Sequence, residues 1–211
     1  MPDGRNDAEI ADAEVLRAHY GQPSAVSLDK QIDHIDRHIA EFIGLSPFLV
    51  MATSGPGGVG ADASPRGDAP GFVKVVDAKT LAIPDRPGNN RLDSISNLVA
   101  NPDVGLIFFI PGVNETVRIS GRARLSTEPA LLATMEAHGK PPRAVILVEV
   151  VEAYTHCAKA LIRSKLWEDD HRIERSRLPT PGEWLRDHAQ TGKTAAEYDA
   201  AVLESRKTRM W

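Results

Sequence analysis

The sequence predicts an α+β protein, mainly β with peripheral helices, whose strands form a closed or nearly closed barrel. Three observations carry this. Short β-rich runs follow one another between about residues 47 and 151. Too few helical segments separate them to build alternating βαβ units. Helical patterns gather instead at the two ends of the chain. With 211 residues there is material for one sizeable domain. It is placed at 28–167, after an arm at 1–27 expected to be partly disordered or helical, and before a helical extension at 168–211.

In chain order, Leu28, Ile32, Ile35, Ile39 and Phe42 recur at steps of three and four, which predicts an amphipathic helix over 28–43 stopped by Gly44. Strands are expected at 48–53, 58–64, 71–76 and 80–83, where β-branched and aromatic residues lie between turn formers. A helix over 90–100 presents Leu92, Ile95 and Val99 on one face and ends before Asn101-Pro102. Strands follow at 104–110, 115–125 and 144–151. Pro129 opens a short helix over 129–137, with Ser126 or Thr127 as acceptors for its first amides and Gly139 beyond its end. Residues 155–167 read as helical. Thr180 with Glu183, and Thr194 with Glu197, each match a capping box at a helix start.

Composition narrows the function. Hydrophobic residues make up 42% and charged ones 26%, and no apolar run approaches the ~18 residues of a membrane span. Residues 1–12 are acidic and polar, unlike a secretory signal, so a cytoplasmic address is expected. A net charge of −4 offers no general attraction for nucleic acid. The single cysteine, Cys157, excludes an internal disulfide, and no thiol cluster suggests zinc.

Two segments carry chemistry. In Asp62-Ala63-Ser64-Pro65-Arg66-Gly67-Asp68 a hydroxyl, an arginine fork and amides opened by glycine can converge on a phosphate. The same residues also suit a plain polar turn. In Pro84-Asp85-Arg86-Pro87-Gly88-Asn89-Asn90-Arg91 a strand runs into a helix whose first amides and Arg91 present positive charge, although a simple N-cap explains these residues as well. Two such features flanking one hairpin favour an anion site.

These stretches, followed by Gly71-Phe72-Val73, Asn101-Pro102 and residues 105–112, then 115–123 and 156–167, resemble the pyridoxamine 5′-phosphate oxidase-like FMN-binding proteins, in particular a bacterial branch distinct from the vitamin B6 oxidase itself. The resemblance spans roughly 32–167 and implies a six-stranded split β-barrel, homodimeric, with one FMN at each of two sites shared between subunits. It further implies that Arg66, Asn90 and Arg91, with Ser64 and Lys74, hold the flavin phosphate. Thr53 and Ser54, at the end of the first strand, would lie along the ring, and Lys159, Arg163 and Ser164 of the partner subunit would close the site.

The chain departs from the vitamin B6 oxidases in a phosphate-binding helix about one turn longer and in lacking their C-terminal segment after Trp167, so vitamin B6 synthesis is not expected. The expected activity is that of an FMN-dependent oxidoreductase on a small molecule, with no side chain assigned as acid or base. The alternatives are a non-catalytic flavin- or haem-binding sensor, for which His156 is the only nearby axial candidate, and a deazaflavin-dependent reductase. His34 and His38 have metal-ligand spacing but no acidic partner in the His-Glu-x-x-His pattern, and they read as a solvated face. Gly55-Pro56-Gly57-Gly58 reads as a hairpin turn, not as a phosphate loop.

Overall fold

The structure, a computed structural model, describes residue 10, residues 12–58, 60–189 and 192–209. Two exposed helices, α1 (Ala13–Tyr20) and α2 (Ala25–Asp29), lead to α3 (Arg37–Leu45), and then to β1 (Phe48–Ser54), β2 (Ala61–Gly67), β3 (Lys74–Asp77) and β4 (Thr80–Asp85). Helix α4 (Asp93–Ala100) precedes β5 (Asp103–Phe109) and β6 (Thr116–Ser126), and α5 (Pro129–Thr134) precedes β7 (Ala144–His156). The chain finishes with α6 (Lys159–Ser164), α7 (Pro181–Ala189) and α8 (Ala195–Arg209). Residues 1–9 and 11, on which part of the expected disordered arm falls, lie outside the described residues.

All strand pairs are antiparallel in one sheet of order β2-β1-β5-β6-β7-β4-β3. The fold is mainly β with peripheral helices, as expected, and the sheet has seven strands where the resemblance implied six. Alternation builds the core. Leu49 and Met51 of β1, Leu106 and Phe108 of β5, and Val117 and Ile119 of β6 point to one interior, which Ile39 and Ile43 of α3, with Ile35 just before it, close. Strand β4 is buried on both faces. Leu81 and Ile83 join this core, whereas Ala82 packs with Val145, Leu147 and Met135 under α5.

The sheet curls until its two ends approach. Asp68, just past β2, accepts from Arg86 Nε, just past β4, at 2.9 Å, with the two side chains only 3% and 18% exposed. This pair joins two sheet ends that no ladder joins. Between β6 and β7 the register shifts at Ser120/Gly121, where a Cβ on Gly121 would lie 2.3 Å from the Glu149 carbonyl oxygen. Only glycine fits that approach.

Several helices differ from expectation. The helix expected over 28–43 is broken, because Ile32 pairs its backbone with Ala153 and the Ile35 amide donates to the Ala78 carbonyl. Leu28 is therefore exposed, and α3 runs on through Gly44 to Leu45. The helix expected from 90 starts at Asp93, since Asn90 and Leu92 adopt φ of 60°. The helix expected over 155–167 is short, because β7 continues pairing with β6 as far as His156. Both capping boxes form: Thr180 and Glu183 exchange bonds of 2.6 and 3.1 Å, and Thr194 and Glu197 exchange bonds of 2.7 and 3.3 Å. Each satisfies amides that a helix start leaves without intrahelical partners.

Candidate functional site

Where the sheet ends meet, β2 and the 84–95 connection enclose a cavity of about 380 Å3, a size usual for small-molecule sites. Ser64, Arg66, Asn90 and Arg91, four residues expected at an anion site, line it together with Asp85, Arg86 and Arg143. Strand β2 begins at Ala61 and runs to Gly67, so Ser64 and Arg66 sit in a strand and not in a turn. Two residues apart, they share one face.

The Arg66 side chain is held in place by its neighbours. Its Nη1 donates to Ser64 Oγ at 2.5 Å and to the Pro65 carbonyl at 2.9 Å, which fixes the plane of the guanidinium. Its Nε is buried and has no partner. A buried donor without an acceptor costs roughly 1–3 kcal/mol, and an anion at this position would remove that cost. Across the cavity Arg143 Nη1 donates to Asn90 Oδ1 at 2.9 Å. The Asn89 side chain accepts from the Arg91 amide at 3.0 Å, and the Arg91 guanidinium pairs with Asp93 at 2.8 Å. Residues 90 and 92 hold left-handed backbone, which bends the connection around the cavity mouth.

The acidic groups are placed differently. Asp62 accepts from Ser94 Oγ at 2.8 Å, a bond between β2 and the start of α4. Asp85 ends β4, and burial pushes its carboxyl above the usual carboxylate range against the opposing pull of Arg66 and Arg143. Arg86 is engaged by Asp68. The arginines facing the cavity without a carboxylate within 4.0 Å, among the described residues, are thus Arg66 and Arg143.

Other expected site residues lie elsewhere. Thr53 is buried and accepts from Asn97 Nδ2 at 3.1 Å, and Ser54 accepts from Asn101 Nδ2 at 2.9 Å. Both bind α4 to β1 instead of facing the cavity, and β1 is paired with β2 and β5 on either side through Thr53. The helix accordingly turns Ser94, Asn97 and Leu98 inward; of the expected apolar face Ile95 packs against the core, whereas Leu92 and Val99 are exposed, Val99 by 75%. Lys74 is exposed on β3, outside the cavity. Lys159, Arg163 and Ser164 lie on α6, also outside it. Trp167 anchors the end of this segment by donating Nε1 to the Val113 carbonyl at 2.8 Å. His34 precedes α3 and His38 lies on it, both exposed.

Sequence reasoning missed Arg143 and, as a site residue, Asp85. Arg143 lies 52 residues beyond Arg91 in a Lys-Pro-Pro-Arg stretch with no motif around it. Only the β4–β7 register, which sets Asp85 opposite Ala144, brings it to the cavity.

Residues 35–157, more than half of the chain, match the family model described as pyridoxamine 5′-phosphate oxidase. The chain belongs to that family, and its fold is of the flavin-binding oxidoreductase type. No curated protein matches it closely enough to count as a relative. Among solved structures, the HupZ protein of Group A Streptococcus is similar at 18% identity and a TM-score of 0.47, over 57% of this chain and 93% of that one. An FMN-binding protein from Syntrophomonas wolfei subsp. wolfei is similar at 9% identity and a TM-score of 0.45, over 68% and 96%. General Stress Protein 26 from Bacillus anthracis is similar at 13% identity and a TM-score of 0.41, over 56% and 93%. No helix among the described residues is long and apolar enough to cross a membrane.

Proposed function

We propose that the protein binds FMN with its phosphate in the cavity between β2 and the 84–95 connection, and works as an FMN-dependent oxidoreductase on a small molecule. The observation that carries this reading is the buried, unpartnered Nε of Arg66 in a cavity that Arg143 also faces. A phosphate monoester supplies the acceptors this pair lacks, and arginine forks match its geometry. Ser64 keeps the Arg66 fork in its plane, and Asn90 keeps Arg143 at the rim. Arg91 is the third cation of the site, available once it leaves Asp93.

When bound, FMN would supply hydride or electron transfer; the chain's part is to bind, orient and exclude water. The reading includes a homodimer in which the partner subunit's Lys159, Arg163 and Ser164 close the ring side of each site. Membership of the family and the exposed position of α6 support that arrangement.

The absorbance spectrum of the purified protein, with mass analysis of the ligand released by acid, tests the proposal. Oxidised-flavin bands and the mass of FMN are expected, and bleaching by a nicotinamide donor followed by reoxidation with an added acceptor would show turnover. A protein that is colourless and takes up no added FMN refutes it. A Soret band or the mass of a deazaflavin would replace FMN with another cofactor.

A further inference from the structure

The anion cavity contains an acid that a simple phosphate cradle does not need. Asp85 closes β4 and lines the cavity with Arg66 from β2 and Arg143 from the stretch before β7, whose amide donates to the Asp85 carbonyl at 3.2 Å. The other charged groups facing this space are already engaged: Arg86 by Asp68, Arg91 by Asp93, and Asp62 by Ser94. Among the described residues the Asp85 carboxylate has no ion pair within 4.0 Å, so it faces the cavity half-buried with its two arginines at longer range. A dianion drawn to Arg66 and Arg143 therefore arrives beside a carboxylate.

We infer that the site takes its phosphate monoester together with one proton, held on Asp85, which converts a repelling carboxylate into a hydrogen-bond donor to the phosphate. Two facts of the site support this. Burial already disfavours the ionised form of Asp85 in the free protein, and an incoming dianion disfavours it further, as any like charge at close range does. The balance is simple: the proton comes from solvent to a carboxylate oxygen, and no bond in the ligand changes. A phosphodiester with one negative charge imposes less of this cost, so Asp85 also sets how strongly the site distinguishes a monoester from a diester. The inference rests on the proposed phosphate site.

Calorimetric titration of the full chain with FMN, in buffers of different ionisation enthalpy between pH 5 and 8, counts the protons taken up on binding. Wild type is expected to take up close to one more proton than Asp85→Asn at the pH of maximum effect. Its FMN affinity is expected to fall by up to tenfold per pH unit relative to the variant. The variant controls for the titration of the phosphate itself, which is common to both proteins, and riboflavin controls for the ring. Equal proton counts in wild type and Asp85→Asn, or parallel pH profiles, overturn the inference while leaving the FMN site standing. If wild type binds no FMN, or binds riboflavin as tightly, the phosphate site itself is refuted. Should Asp85→Asn fail to fold, wild type is titrated with inorganic sulfate, a dianion whose charge is constant between pH 5 and 8: an uptake approaching one proton supports the inference, and no uptake overturns it.

Discussion

Removing the Asp68–Arg86 pair tests how the curled sheet is held shut. The two residues follow β2 and β4, strands with no common neighbour in the ladder, and meet at 2.9 Å. Truncating one member of a fully buried pair costs about 3–5 kcal/mol, because a charge is left without a partner. Asp68 is 3% exposed but Arg86 is 18% exposed and borders the cavity, so the orphaned guanidinium regains some solvent. Asp68→Ala is therefore expected to cost about 2–3 kcal/mol, part of it from the Ala69 amide that also donates to Asp68, at 2.7 Å. For a chain of this size that lowers Tm by about 4–12 °C. A double-mutant cycle with Arg86→Ala, followed by urea unfolding, isolates the pair, and a coupling energy of about 1.5 kcal/mol or more is expected. Coupling below about 0.5 kcal/mol would refute the claim that this pair takes the place of a missing ladder.

Other outcomes follow from the same geometry. Arg66→Ala should weaken FMN binding about 10- to 100-fold by flavin fluorescence titration, the loss of charge-assisted bonds of about 1.5–3 kcal/mol, with little change in riboflavin affinity; equal losses for both ligands would place the phosphate elsewhere. Gly121→Ala puts a methyl group 2.3 Å from the Glu149 carbonyl oxygen and should destabilise the protein by about 2–3 kcal/mol in denaturant titration, whereas a neutral result would mean the strands part without cost. Because the folded-state pKa of Asp85 is raised, its contribution to stability is complete below the unfolded value and is lost as pH rises through the folded one. The ligand-free protein should accordingly lose stability across that window relative to Asp85→Asn, and parallel curves for the two would contradict the burial argument.

Much of the barrel was legible because alternation marks a half-buried strand whatever its partner. The runs at 48–53, 104–110 and 115–125 fall within a residue or two of β1, β5 and β6. The Ser64–Arg66 and Gly88–Arg91 stretches were legible as one candidate anion site, and the structure brings them to one cavity. What local pattern could not give was decided by distant partners. The periodicity of 28–43 loses to backbone bonds from Ile32 and Ile35 to other parts of the chain. The face of α4 is set partly by polar acceptors on β1 and β2, so hydrophobicity placed Ile95 correctly but not Leu92 or Val99. Arg143 has no motif, and its role depends on a pairing between β4 and β7 separated by 58 residues from Asp85 to Arg143.

The position of the cavity has a consequence for how the molecule is made and kept. Its walls come from opposite ends of the strand order, so they meet only after β1 has found β5 and β4 has found β7, pairings distant in sequence. A partly folded chain offers no site, and whatever occupies the cavity reads out completion of the whole sheet. Such a ligand binds the native state alone, and at 100 times its Kd it adds about 2.7 kcal/mol to stability. Supply of the ligand during synthesis would then influence how much of the protein persists, apart from any reaction it performs.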